Sequence, residues 1–131
     1  MAWLLDTSVA ILLRDADSDA DSWLAALDSV PALSVISQVE LEGGVLAKPQ
    51  LAAKRRAALD LLLLTLPVLP FDAACVAAYR GIIETAGYSR RKIIDRMIAA
   101  TALAHRLTLV TLNGADFADV PGLDLEVWHS A

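Results

Sequence analysis

Trp3-Leu4-Leu5-Asp6-Thr7-Ser8-Val9-Ala10-Ile11-Leu12-Leu13 opens the chain. Three apolar residues that stop at an aspartate read as a short buried strand. Thr7 and Ser8 then offer hydroxyls for a helix start, ahead of a second apolar run. In an open α/β sheet, ligands gather outside the carboxyl ends of the strands. Asp6 is therefore the first structural signal and also the first candidate site residue.

The same alternation continues down the chain. The acidic stretch 15–21 leads into a helix around residues 23–27 that Pro31 breaks. Residues 33–35 read as a second strand, with Ser37 capping a helix that runs to about residue 46. Beyond Pro49, residues 51–64 are rich in good helix formers. Residues 67–69 form a third short strand. Asp72 caps the next helix, and Gly87 marks its end. A helix over residues 93–105 precedes the β-branched strand 107–111, the Asn113-Gly114 turn and a last strand at 125–128. Short, apolar strands alternating with helices predict a parallel sheet covered on both faces. With no repeat, linker or low-complexity tract, residues 1–131 are expected to form one α/β domain.

Composition narrows the function. Hydrophobic residues make up 56% of the 131, and mean hydropathy is +0.53, which excludes disorder. The longest apolar run, residues 61–71, contains two prolines and falls short of the roughly 20 residues needed to cross a bilayer. No signal peptide is evident, and a single cysteine permits no intramolecular disulfide. A cytoplasmic protein without membrane association is expected. The net charge of −5 excludes a generally basic nucleic-acid binder. Its cations are gathered: Lys54-Arg55-Arg56, Arg90-Arg91-Lys92 and Arg96 hold seven of the eleven.

Four carboxylates fall where a site would be. Asp6 ends the first strand, and Asp116 with Asn113 follows the 107–111 strand. Glu40 and Asp95 lie near the starts of their helices, where the backbone dipole favours a negative group. Each has an ordinary structural alternative. Asp6 could cap its helix; Ser37 and Glu40 fit a capping box; Asp95 and Asp116 could be a first-turn and a turn residue. Together they form a self-repelling cluster unless a cation lies among them. All-oxygen ligands suit Mg²⁺ or Mn²⁺. His105 and His129 lack ligand spacing to each other or to Cys75, which disfavours zinc. Cys75 reads as an inert mid-helix core residue.

These residues also carry a resemblance. Leu4-Leu5-Asp6-Thr7-Ser8, Glu40-Leu41-Glu42-Gly43-Gly44, Asp95-Arg96-Met97-Ile98-Ala99-Ala100-Thr101-Ala102 and Leu109-Val110-Thr111-Leu112-Asn113-Gly114-Ala115-Asp116-Phe117 follow one another in order. They resemble the PIN domains, and within that superfamily the VapC-type toxins of bacterial toxin–antitoxin pairs. The resemblance covers residues 3–128. It implies a three-layer α/β/α sandwich around a mostly parallel five-stranded sheet, and a Mg²⁺- or Mn²⁺-dependent endoribonuclease. It also implies that Asp6, Glu40, Asp95 and Asp116 are the catalytic, metal-holding acids. Ser8 and Asn113 match supporting polar positions, and Thr111 a hydroxyl under the site. Leu112 stands where many members have Arg.

The expected chemistry is hydrolysis of RNA phosphodiesters by metal-activated water. Arg90, Arg91 and Arg96 border Asp95 and are candidates for RNA-phosphate contacts. Glu42 should face away from Glu40 on their helix. The resemblance further implies a small antitoxin partner and a homodimer, with residues 9–13 and 61–64 as candidate contact surfaces. Two alternatives stay open. One is a non-catalytic PIN-like module that binds RNA or protein. The other is an aspartyl phosphoryl-transfer domain, disfavoured because Ser8 stands where its second acid is needed and no lysine follows Lys92.

Overall fold

Leu4 and Leu5 are both fully closed off from solvent, and they belong to different cores. Successive strand residues point to opposite faces. Leu5 packs with Val9, Leu13, Leu41 and Leu59, whereas Leu4 packs with Ile82, Ile98, Ala99 and Leu109. A strand buried on both sides has no polar face to offer, so two leucines stand in sequence. Each such side chain contributes about 1.5–3 kcal/mol on burial.

The computed structural model describes residues 2–129. In chain order its elements are β1 (Trp3–Leu5), α1 (Thr7–Arg14), α2 (Ser18–Ala26), β2 (Ala32–Ser34), α3 (Val35–Ala47) and α4 (Ala52–Thr65). There follow β3 (Val68–Leu69), α5 (Ala73–Ala86), α6 (Ile93–His105), β4 (Thr108–Thr111) and β5 (Leu125–Val127). The five strands form one parallel sheet in the order β3-β2-β1-β4-β5. Buried residues of α1 to α4 fill one side of it, and those of α5 and α6 the other. The three-layer α/β/α sandwich expected from the sequence is therefore present.

Central β1 aligns Leu5 with Leu33 of β2 and with Val110 of β4. From β1 the chain travels outward to β2 and β3, then returns to the other side of β1 for β4 and β5. That reversal opens a crevice beyond the carboxyl ends of β1 and β4. Asp6 and the residues after Thr111 stand at its mouth.

Several helix starts differ from the sequence expectation. The cap of α1 is neither Thr7 nor Ser8 but the Asp6 carboxylate, which accepts from the Val9 N–H, the structural role its position also allowed. Strand β2 ends one residue earlier than expected, and Ser34 caps α3 by accepting from the Ile36 N–H at 3.0 Å. Ser37 is thus inside α3, and the Ser37–Glu40 capping box does not form. Either serine can cap; the pairing of β2 with its neighbours selects Ser34, whose backbone is still extended at φ −76° and ψ 146°. Asp17 caps α2, which ends well before Pro31. Asp72 and Gly87 bound α5 as expected, with Gly87 at φ +85°.

The proposed contact segments divide. Val9, Ala10 and Leu13 belong to the core, so residues 9–13 are a packing face with only Ile11 partly outward. Leu61 and Leu64 on α4 are 66% and 84% exposed, while Leu62 and Leu63 pack inward. Among the described residues, no helix is long and apolar enough to cross a membrane.

Candidate active site

Asp6 is only 5% exposed, yet both its carboxylate oxygens are occupied. Oδ1 accepts from the Val9 N–H at 3.1 Å and the Ser8 hydroxyl at 2.6 Å. Oδ2 accepts from the Thr111 hydroxyl. Burial pushes the Asp6 carboxyl above its ordinary value, and the Ser8, Thr111 and Val9 donors oppose that rise. The same hydroxyls fasten the chain after β4: Ser8 Oγ accepts from the Leu112 N–H at 3.2 Å, and Thr111 Oγ1 from the Asn113 N–H at 3.0 Å. Ser8 and Thr111 thus hold Asp6 against the turn that carries Asn113 and Asp116.

Glu40 sits in the second turn of α3, one turn deeper than expected. Thr7 Oγ1 lies 2.5 Å from Glu40 Oε1 and 3.0 Å from the Ser37 hydroxyl. The pairing joins α3 to the start of α1, directly beside Asp6. Asp95 lies in the first turn of α6. Its carboxyl is raised by burial first, then by the negative charges of Asp116, Asp6 and Glu40, with Lys92 opposing. All three remaining acids of the quartet therefore act on Asp95. Asp116 is exposed in the 3₁₀ turn Gly114–Phe117, whose backbone closes through the Asp116 N–H to the Asn113 carbonyl at 3.0 Å. Gly114 allows that turn to lie against β5: a Cβ there would meet Val127 Cγ2 at 2.6 Å.

The cations separate into two kinds. Arg90 and Arg91 are exposed on the 3₁₀ turn Arg90–Lys92 that leads into α6. Arg96, in contrast, is 3% exposed. Its guanidinium donates to the Gly87 carbonyl at 2.5 Å and to Asp119 at 3.0 Å. It ties the end of α5 to the loop before β5, which corrects the expectation that Arg96 meets phosphates. Asp119 also accepts from Lys92 at 3.0 Å. Glu42 does face away from the acids, in a two-pronged pair with Arg56 at 2.5 and 3.2 Å. Arg55 donates to the Gly44 carbonyl, so both arginines of the second basic run are engaged with α3 or with α4 itself.

Sequence reasoning missed the contacts of Thr7 with Ser37 and Glu40, the effect of Lys92 on Asp95, and the pairing of Asp119 with Lys92 and Arg96. The signal for two of them was present: Ser37 and Glu40 are three residues apart on one helix face, and Thr7 adjoins Asp6. Asp119 gave none. The fold also brings together three residues whose sequence spacing gave no sign of it. Cys75 is the third residue of α5, near its start, and the fold brings it to Asp72 and His105, with one ligand atom of each within 4.8 Å of the others.

A five-stranded parallel sheet between two helix layers, with carboxylates beyond the ends of its central strands, defines an α/β sandwich class, and the comparisons give it a family. Residues 3–123 match the PIN domain, and the chain belongs to that family. It is 32% identical to Ribonuclease VapC2 of Rickettsia felis across 98% of both chains. The structure of VapBC2 from the same organism, bound to a promoter DNA fragment, superposes with a TM-score of 0.85 at 28% identity, over 98% of this chain and 100% of that one. FitAcB from Neisseria gonorrhoeae gives 0.74 at 29% identity, over 98% and 99%.

Proposed function

We propose that this chain is a VapC-type ribonuclease, the toxin of a toxin–antitoxin pair, which hydrolyses RNA phosphodiester bonds with the aid of Mg²⁺ or Mn²⁺. The observation that carries the reading is that the negative charges of Asp116, Asp6 and Glu40 all bear on the Asp95 carboxyl, beyond the carboxyl ends of β1 and β4. The donor set fits a hard divalent ion: it is all carboxylate oxygen, and its mutual repulsion is relieved by a cation. Asp6, Asp95, Glu40 and Asp116 would hold it. When bound, such an ion polarises the scissile phosphate and lowers the pKa of an attacking water.

The chain's own groups do the rest. Ser8 and Thr111 orient Asp6 through its two oxygens, and Thr7 orients Glu40. Arg90 and Arg91, exposed on the turn that leads into the helix of Asp95, receive RNA phosphates. Asn113, on the same turn as Asp116, offers an amide to the substrate. Discounting the four acids leaves the rest of the chain close to neutral, so the acidic balance reflects the site and is compatible with an RNA substrate.

The relatives' structures supply the partner class. The Rickettsia structure is of VapBC2, and an antitoxin is the partner assigned to this chain, with the exposed Leu61–Leu64 side of α4 open to an interface. A homodimer is proposed on the same grounds. Because the Rickettsia complex binds a promoter fragment, the compartment of the chromosome, the cytoplasm, is the expected location. The test is RNA cleavage by purified protein with Mg²⁺ or Mn²⁺, comparing wild type with Asp6→Asn and Asp95→Asn. Loss of cleavage in both variants is expected. Undiminished cleavage in both overturns the site, and an inert but RNA-binding wild type would favour a binding module.

A further inference from the structure

We propose that Asp72, Cys75 and His105 form a zinc site, separate from the carboxylate crevice, that staples the start of α5 to the end of α6. The three side chains come from two helices that pack along each other. Asp72 caps α5 and accepts from the Cys75 N–H at 3.1 Å, which sets its carboxylate over the same end of the helix as the thiol three residues on. His105 is the last residue of α6. One carboxylate oxygen, the Cys75 sulfur and one imidazole nitrogen all lie within 4.8 Å of one another. Zinc bonds of about 2.0–2.3 Å bring ligand atoms to within roughly 4 Å, so modest side-chain rotations complete the geometry.

The ligand chemistry selects the metal. A thiolate, an imidazole and a carboxylate are a mixed soft and borderline set, suited to Zn²⁺ and poorly suited to Mg²⁺. Asp72 and His105 are exposed while Cys75 is buried beneath them, so the fourth position opens to water. The Thr101 hydroxyl, one turn before His105 on α6, bonds the Met97 carbonyl at 2.9 Å, and the Cys75 thiol donates to the Pro70 carbonyl at 3.7 Å, a bond that zinc would replace. Binding releases the Cys75 thiol proton to solvent.

The site is distinct from the acids of the crevice. Asp95 and His105 occupy opposite ends of α6, about 15 Å apart at the helical rise. A staple there therefore fixes the helix pair that presents Asp95 without touching the crevice. Zinc binding at these three side chains does not depend on whether the chain cleaves RNA.

The test uses the full-length chain, freed of any histidine tag and of metal, with excess Mg²⁺ present to occupy the carboxylates. Zinc retained after gel filtration should be one equivalent. Substituted Co²⁺ should give a thiolate charge-transfer band in the near ultraviolet, and zinc should raise Tm. His105→Gln, a surface change that leaves folding intact, should weaken zinc binding about tenfold or more; Cys75→Ser should abolish the cobalt band. Asp95→Asn should alter neither. A folded wild type without the cobalt–thiolate band overturns the proposal. So does zinc binding that His105→Gln leaves unchanged while Asp95→Asn removes it.

Discussion

Thr111, the last residue of β4, donates its hydroxyl proton to Asp6 Oδ2 at the end of β1, and accepts the Asn113 N–H with the same oxygen. One buried hydroxyl thereby joins the central strand's carboxylate to the turn that carries Asp116. Thr111→Val keeps the shape and deletes both bonds. Leaving buried polar groups unpaired costs about 1–3 kcal/mol, and loosening a supporting hydrogen bond costs about 10–100-fold in metal affinity or activity. Urea unfolding and RNA cleavage should both register the change, and Thr111→Ser should restore most of it. Equal behaviour of the valine and serine variants would contradict the assignment.

Asp95 carries a pH prediction. Burial, followed by the charges of Asp116, Asp6 and Glu40, raises its carboxyl above 3.8, the value of an isolated aspartate. Between 3.8 and the raised value the folded state binds more protons than the unfolded state. Its contribution to stability is therefore full below 3.8 and is lost as pH rises through the folded value. Asp95→Asn removes the repelled charge, so with chelator present its Tm at neutral pH should exceed that of wild type. The gap should shrink on acidification, and on addition of Mg²⁺, which stabilises only the intact acid cluster. A chelated Asp95→Asn that melts below wild type at neutral pH would refute the reading.

Arg90 and Arg91 differ from Arg96 in burial, and their substitutions should separate accordingly. Arg90→Ala with Arg91→Ala should raise KM for RNA and flatten its salt dependence, each lost phosphate contact removing about 0.7 from the log–log slope for single strands. Stability should stay within about 0.5 kcal/mol of wild type. Arg96→Ala deserts the Gly87 carbonyl and Asp119 and should lose about 1–3 kcal/mol. Denaturant midpoints measured beside the kinetics distinguish the two classes; an unchanged midpoint in Arg96→Ala would return that residue to the substrate side.

How far these positions were legible depended on whether local or distant contacts decide them. Leu4-Leu5-Asp6 announces a doubly buried strand with an acid at its end, because strand burial and strand ends are local properties. Asp72 and Gly87 bound α5 for the same reason. Ser34 and Ser37 were ambiguous, since either can cap and the choice is made by β2 pairing with its neighbours. The Ser37–Glu40 spacing fits a capping box and a shared helix face equally, and the fold uses the face, against Thr7. Arg96 could have been separated from Asp95 by helix geometry alone: adjacent residues diverge by about 100°. His105 and Cys75 meet only through the packing of α5 on α6, which no spacing rule encodes.

Gly114 sets how closely the acid-bearing turn lies against the sheet. A Cβ at this position would stand 2.6 Å from Val127 Cγ2 on β5, a separation that forces the turn or the valine to move. Gly114 has no left-handed backbone to preserve, so crowding alone sets the cost. Gly114→Ala should destabilise by about 1–3 kcal/mol, as overpacking does, and should displace Asn113 and Asp116 enough to lower cleavage. Val127→Ala removes the obstructing methyl. Val127 is only partly buried, so that change alone should cost less than a core truncation. Combined with Gly114→Ala, it should be less harmful than the two single effects added, a coupling typical of residues in contact. Strict additivity in the double variant, by urea unfolding and by cleavage rate, would mean that the turn does not depend on close approach to β5.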